Sequence, residues 1–129
     1  VYEPMLYGWP KDGEKEWFGG RAEGDVWFFD RPPSNPIHPT MKPVELVVKA
    51  ITNSSRREDI VLDAFGGGGS CLIACEKTSR KARIIELDPK FCDAMIARWI
   101  GHTKQYDIVR NGEAHHWEGF VVNLSGVHG

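Results

Sequence analysis

The sequence lacks an excess of basic residues and any long apolar run. Its 129 residues include 16 Lys and Arg against 18 Asp and Glu, with a formal net charge of -2 and a pI near 6.2. The broad basic face of a free-standing nucleic-acid binder is therefore missing. No window approaches the roughly 20 apolar residues of a membrane span, and a secretory signal pattern is absent from the N-terminus. We expect a cytoplasmic protein with no membrane association.

Cysteine is scarce too, with Cys71, Cys75 and Cys92 as its three occurrences. An odd number without metal-ligand spacing favours reduced thiols over disulfides, and it predicts no metal site. Cys71 and Cys75 are four residues apart on a predicted helix, which indicates core packing. The pair His115-His116 comes with no further ligand pattern, so we expect it to be exposed and free of metal.

The composition, 41% hydrophobic and 26% charged, is that of one globular domain. The start at Val1 rather than Met is consistent with an internal start in a longer protein. Aromatic and β-favouring residues at 2–8 and 26–29 predict two hairpin strands. Residues 30–43 hold five of the eight prolines, which predicts an irregular extended segment. Residues 105–129 show little periodicity and predict a loosely ordered tail with one possible strand at Phe120–Leu124.

Between these ends the patterns alternate between helix and buried strand. Apolar residues at i, i+3, i+4 and i+7 predict the first helix, and short apolar runs predict strands buried on both faces. In chain order the predicted elements are a helix opened by Pro43, a strand at 60–62, a glycine loop, a helix over 71–78 with Ser70 as N-cap, a strand at 82–87, and a helix from Asp88-Pro89 towards Trp99 that ends at Gly101. This order is typical of an α/β fold with a parallel sheet.

The glycine loop Asp63-Ala64-Phe65-Gly66-Gly67-Gly68-Gly69-Ser70 is the first candidate site. A strand, four glycines and a helix N-terminus let backbone amides approach an anionic ligand. Glu86 lies twenty residues after Gly66, where an acidic side chain can accept hydrogen bonds from both ribose hydroxyls. A nucleotide-like ligand is therefore predicted. Two alternatives remain: a turn that binds nothing, and a dinucleotide site, for which Cys71 stands where the third small residue belongs.

A second motif is His38-Pro39-Thr40-Met41-Lys42-Pro43, which precedes the loop by one helix. With this motif, the loop and Ile85-Glu86-Leu87-Asp88-Pro89-Lys90-Phe91-Cys92, the chain resembles the N4-cytosine/N6-adenine DNA methyltransferases from about Tyr2 to Lys104. In particular it resembles the circularly ordered class, whose catalytic half comes first and whose cofactor half comes last. The resemblance implies a partial Rossmann-like fold that binds S-adenosylmethionine and acts on double-stranded DNA as part of a parent enzyme. It also implies a division into residues 1–104, the C-terminal portion of the methylase domain (1–37 hairpin and linker, 38–104 cofactor-binding βαβ unit), and a tail at 105–129.

The resemblance assigns cofactor roles to particular residues. Lys42 could be a solvated lysine of the first helical turn, but a cation there opposes the helix dipole, which favours an anionic tertiary partner. Ala64 and Gly68 depart from the family pattern, which has Pro and Ser there. His38 is open between cofactor contact and simple packing. The implied roles are Thr40 and Lys42 at the methionine end, with Lys42 on its carboxylate; Asp63, Phe65, Gly66 and Gly68 as the floor; Glu86 on the ribose; and Leu87 or Ile85 by the adenine.

The base-holding motif of the resembling family, Asp/Asn/Ser-Pro-Pro-aromatic, is absent from the sequence. The segment from Asp30 to Ser34 has the prolines but an inserted Arg31 and no aromatic residue. No catalytic residue is therefore assigned, and the central catalytic strands are expected to be missing. An open strand edge would favour pairing with the missing N-terminal catalytic portion or self-association. The hypotheses are the cofactor-binding portion of a DNA methyltransferase, a truncated non-catalytic cofactor-binding module and, more weakly, an NAD-binding Rossmann fragment.

Overall fold

The computed structural model describes residues 2–30 and 41–119. Helices and strands alternate through most of the second range, and no helix described there is long and apolar enough to cross a membrane. The elements are α1 (Val44–Ser54), β1 (Ile60–Asp63), α2 (Ser70–Thr78), β2 (Lys81–Ile84), α3 (Pro89–Thr103), β3 (Asp107–Arg110) and β4 (Glu113–His116).

Strands β1 and β2 form a parallel pair whose register runs from Ile60 opposite Lys81 to Asp63 opposite Ile84. Strand β2 ends at Ile84 rather than at the predicted Leu87. The reason is that β1 ends at Asp63, so the chain beyond Ile84 has no strand partner and bonds to the glycine loop instead. Both strands therefore finish at one edge, which carries the loop residues.

One face of this strand pair packs into the core, and the other does not. Val61 of β1 and Ala82 and Ile84 of β2 pack against a buried cluster on the first two helices. Ile60 and Leu62 point the opposite way and are exposed. The prediction of strands buried on both faces is wrong, because the described residues place a layer on one side only. The buried cluster consists of Ile51, Cys71, Ala74 and Cys75.

The helix ends follow local capping chemistry with small shifts from prediction. Pro43 occupies the N-cap position of α1 instead of its first turn. Helix α2 begins at Ser70, and its N-cap is Gly69 in the left-handed conformation rather than the predicted Ser70. Asp88 caps α3 as predicted, since its side chain accepts a hydrogen bond from the Lys90 amide.

Helix α3 continues past Gly101, where it was predicted to end, as far as Thr103. Ile100 is fully buried, so packing holds this last turn in place despite the glycine. Lys104 then adopts the left-handed conformation with φ 62°, and its amide donates to the Ile100 carbonyl at 2.8 Å. A lysine therefore closes the helix in the way that glycine usually does.

Residues 2–30 contain no helix or strand, so the predicted hairpin at 2–8 and 26–29 is wrong. The segment packs against α1 instead of pairing with itself. The Phe18 amide donates to the Asn53 carbonyl at 2.8 Å, and the Lys49 ammonium lies 4.7 Å from the centre of the Trp27 ring. Trp27, one of the aromatic residues that suggested a strand, therefore contacts α1, whereas Tyr2 and Phe28 are exposed.

Residues 105–119 are ordered as an antiparallel hairpin, which corrects the predicted loose tail. Strands β3 and β4 are joined at Asn111-Gly112, both with positive φ (52° and 85°). This pair is the residue combination that a tight two-residue hairpin requires. The possible strand at Phe120–Leu124 lies outside the described residues.

Candidate cofactor site

The glycine loop and the segment after β2 meet at the carboxyl edge of the parallel pair. The Ile85 amide donates to the Asp63 carbonyl, and the Gly66 amide donates to the Ile85 carbonyl, each at 2.9 Å. These bonds continue the pairing of β1 and β2 beyond the strands. Ligand sites in open α/β sheets lie at this edge. We call residues 63–70 and 85–88 together the loop edge.

Glu86 is held at the centre of the loop edge. One carboxylate oxygen accepts from the Gly67 amide at 2.7 Å, and the other accepts from the Asp88 amide at 2.9 Å. The side chain thus bridges the glycine loop and the N-cap of α3. The sequence placed Glu86 beside the loop, and the structure brings the two into contact.

The amides of the loop are turned towards acceptors within the protein. The Phe65 amide donates to the Asp63 carboxylate at 2.9 Å, and the Gly69 amide donates to the Gly66 carbonyl at 2.9 Å. Together with the bonds of Gly66 and Gly67, four loop amides have protein partners. Two of the acceptors belong to the loop itself, and the other two, the Ile85 carbonyl and the Glu86 carboxylate, belong to the segment after β2.

Two glycines of the loop are required by space and conformation. A Cβ atom on Gly66 would lie 2.4 Å from Cγ2 of Ile84, and one on Gly69 would lie 2.7 Å from Cγ of Met95. Gly69 also has φ +75°, which L side chains rarely adopt. The glycines therefore let α3 and β2 approach the loop closely.

The end of the second motif lies against this loop. The Ser70 hydroxyl donates to the Lys42 carbonyl at 2.7 Å. The Lys42 ammonium pairs with the exposed Glu3 carboxylate. Lys42 precedes the Pro43 N-cap and so lies outside the first helical turn that was predicted for it. His38 and Thr40, the other candidates of the motif, lie outside the described residues.

Apolar side chains at the loop edge are left open to solvent. Leu87 is 97% exposed and Phe65 is 89% exposed, while Ile85 is 60% exposed. We call these three exposed side chains of the loop edge the apolar rim.

Arg98 is a site residue that sequence reasoning missed. Its guanidinium Nη1 donates to the Gly68 carbonyl at 2.5 Å and reaches Sδ of Met41 at 3.1 Å. Arg98 is on α3, far along the chain from both groups, and no local motif marks it. The signal lies only in the tertiary packing.

Cys71 lies beneath the loop, beside Asp63. Burial, with smaller contributions from Cys75 and Asp63, raises the pKa of the Cys71 thiol from 9.0 to about 12. The thiol therefore stays protonated at neutral pH, and its contribution to stability is fully present below about pH 9 and is lost as the pH rises towards 12. The predicted core role of Cys71 and Cys75 is confirmed, since both are buried.

Alkylation should separate the buried thiols from the half-buried Cys92. We expect iodoacetamide at pH 8 to modify Cys92 about tenfold faster than Cys71 or Cys75, because a thiol must be exposed and ionised to react. Peptide mass spectrometry over time measures the three rates. All three should react alike in 8 M urea, and equal rates in the folded protein would contradict the buried placement.

The described residues contain no cluster of three or more His, Cys, Asp or Glu side chains that could hold a metal ion. His115 and His116 are exposed as predicted. His116 Nδ1 lies 2.8 Å from the Asp107 carboxylate across the hairpin, so this ring has a partner within the protein.

Comparisons with known proteins agree on one family. The sequence pattern of the N6/N4 DNA methylases matches residues 10–98. The chain is 32% identical over 100 residues to the type II methyltransferase M.Cfr9I of Citrobacter freundii, covering 77% of this chain and 33% of that protein. It is 33% identical over 90 residues to the type II methyltransferase M.XycI of Xanthomonas campestris pv. cyanopsidis, covering 69% of this chain and 30% of that protein.

A solved structure is similar as well. The crystal structure of the M1.HpyAVI-SAM complex superposes with a TM-score of 0.56 at 25% sequence identity, covering 66% of this chain and 44% of that one. The chain thus spans about a third of the length of the curated relatives it matches.

Proposed function

Because this chain belongs to the N6/N4 DNA methylase family, we propose that it forms the S-adenosylmethionine-binding portion of a DNA methyltransferase. The reaction of the whole enzyme would be methyl transfer to the exocyclic amine of adenine or cytosine in double-stranded DNA. The observation that supports this most is the meeting of three groups at the loop edge. These are the glycine loop, the Glu86 carboxylate and the Lys42 segment.

We assign the two ends of the cofactor from the charges at the loop edge. Lys42 would exchange its Glu3 partner for the methionine carboxylate, since both partners offer the same acceptor group. Glu86 would accept from the ribose hydroxyls. The exposed Leu87 or Ile85 would pack against the adenine, which would cover part of the apolar rim.

The floor beneath the cofactor would consist of Asp63, Phe65, Gly66 and Gly68. Helix α3 approaches the loop closely at Gly66, which leaves no room for a side chain at that position. His38 and Thr40 would complete the methionine end through the motif that they share with the family.

The charge of the loop edge favours S-adenosylmethionine over a dinucleotide. A pyrophosphate needs free amides at the glycine loop, and here the Gly67 amide already donates to the Glu86 carboxylate. A phosphate in the same place would face that carboxylate, which is unfavourable. A cofactor with a sulfonium cation and no phosphate carries no such penalty.

The target base would be held by groups outside this chain. The sequence contains no Asp-Pro-Pro-aromatic motif, and Ile60 and Leu62 on the outward face of β1 are exposed among the described residues. We propose that the missing catalytic portion of the methylase domain packs on that face, and that a second copy can take its place when the chain is alone.

The absence of the Asp-Pro-Pro-aromatic motif also favours a second candidate function, a cofactor-binding module that does not catalyse. Transfer of labelled methyl to DNA on adding the catalytic portion would decide between them.

Calorimetric titration tests the cofactor assignment. We expect the wild-type chain to bind S-adenosylmethionine and to give no heat with NAD. Lys42→Ala or Glu86→Ala should weaken binding about tenfold or more, since each removes a charge-assisted contact. Lys77→Ala is the matched control, because Lys77 also pairs with a glutamate, Glu45, away from the loop edge. Binding of NAD alone would overturn the assignment.

A further inference from the structure

Arg98 joins the two cofactor motifs through one guanidinium nitrogen. Nη1 donates to the Gly68 carbonyl in the loop and reaches Sδ of Met41, next to Lys42. It also lies 3.5 Å from the Ser70 hydroxyl, which itself donates to the Lys42 carbonyl at 2.7 Å. A continuous set of contacts therefore runs from α3 through the loop to the backbone of Lys42.

The environment of this guanidinium is unusual for a cation. The three acceptors of Nη1 are a carbonyl, a thioether and a hydroxyl, all of which are uncharged. Burial lowers the pKa of Arg98, which shows that the charge is partly removed from water. Arg98 is half-buried, and a half-buried cation with neutral partners stabilises an anion that is placed nearby.

Arg98 also restricts how the loop can move. A hydrogen bond to the Gly68 carbonyl fixes the peptide that leads into Gly69, the left-handed N-cap of α2. Four consecutive glycines would otherwise leave that peptide free to rotate. The spacing between the loop and Lys42 thus depends on a side chain from a third element.

We propose that Arg98 is a positioning residue for the methionine end of the cofactor. It sets the distance between the glycine loop and Lys42, and its charge favours the methionine carboxylate. This inference rests on the proposed function, since it assumes that S-adenosylmethionine binds at the loop edge.

The test compares S-adenosylmethionine with methylthioadenosine, which lacks the amino-acid end. We expect Arg98→Met to weaken S-adenosylmethionine binding about tenfold and to change methylthioadenosine binding less than about twofold. Arg98→Lys should recover part of the loss, because an ammonium can still donate to the Gly68 carbonyl. Calorimetry with both ligands on the full chain gives the ratio of dissociation constants.

Arg80→Met provides the structural control. Arg80 donates to the carbonyls of Thr78 and Ser55, each at 2.7 Å, at the opposite end of α2. Its loss should lower the melting temperature and leave the ratio of the two dissociation constants unchanged. Equal weakening of both ligands in Arg98→Met, or an equal change of the ratio in Arg80→Met, would overturn the positioning role. A wild-type chain that binds neither ligand would instead overturn the proposed function, and the inference with it.

Discussion

Replacing Gly69 with alanine is expected to lower the free energy of unfolding by about 3 kcal/mol. About 1 kcal/mol comes from the left-handed conformation at φ +75°, which costs alanine more than glycine. The rest comes from the new methyl group, which would lie 2.7 Å from Cγ of Met95 and force α3 away from the loop. Urea denaturation with linear extrapolation measures the loss.

Gly112→Ala is the matched control for this substitution. Gly112 has φ +85°, close to that of Gly69, but a Cβ atom there would meet nothing within 4 Å. We expect a loss of only about 1 kcal/mol, the conformational part alone. Equal losses in the two variants would show that Met95 does not restrict the loop.

The sequence predicted the elements whose signals are local. The valine spacing of α1, the apolar run of β1 and the Asp88-Pro89 start of α3 each depend on neighbouring residues, and each is present in the structure. The partial Rossmann-like methyltransferase fold is confirmed by the likeness to a solved methyltransferase. The sequence could not predict where tertiary packing outweighs a local signal. At Gly101, for example, α3 continues through the glycine because its neighbour Ile100 is buried.

Two segments show different reasons for failure. Residues 2–30 have strand-like composition but contain no strand. Trp27 lies against Lys49 of α1, whereas Tyr7 contacts Trp9 and Trp17 within the segment. The hairpin of β3 and β4 has a local signal in Asn111-Gly112, but its four-residue strands carry only a short apolar pattern, at Ile108 and Val109.

The candidate site also contains residues that the sequence predicts and one that it does not. Glu86 and the glycines were placed together by chain spacing, because the carboxyl ends of parallel strands meet at one edge. Arg98 had no such marker, since its partners are 30 and 57 residues away along the chain. The turning of the loop amides onto protein acceptors likewise depends on contacts that the sequence does not display.

The two faces of β1 should respond in opposite ways to a lysine. Leu62 is 68% exposed on the outward face, whereas Val61 packs against the buried cluster. We expect Val61→Lys to lower the free energy of unfolding by about 3 kcal/mol or more, because it buries an unpaired charge. Leu62→Lys should change it by less than about 0.5 kcal/mol, as surface substitutions do.

The same pair of variants tests whether the outward face is a contact surface. Ile60 and Leu62 form an apolar strip along a strand pair that has only two described members, and such a strip favours association. Sedimentation equilibrium should therefore show self-association of the wild-type chain that Leu62→Lys weakens about tenfold, while the urea transitions of the two chains agree at concentrations where both are monomeric. A wild-type monomer with a sharp, concentration-independent thermal transition would contradict an uncovered face. So would a Leu62→Lys variant as unstable as Val61→Lys, since that result would place Leu62 within the core of the isolated chain.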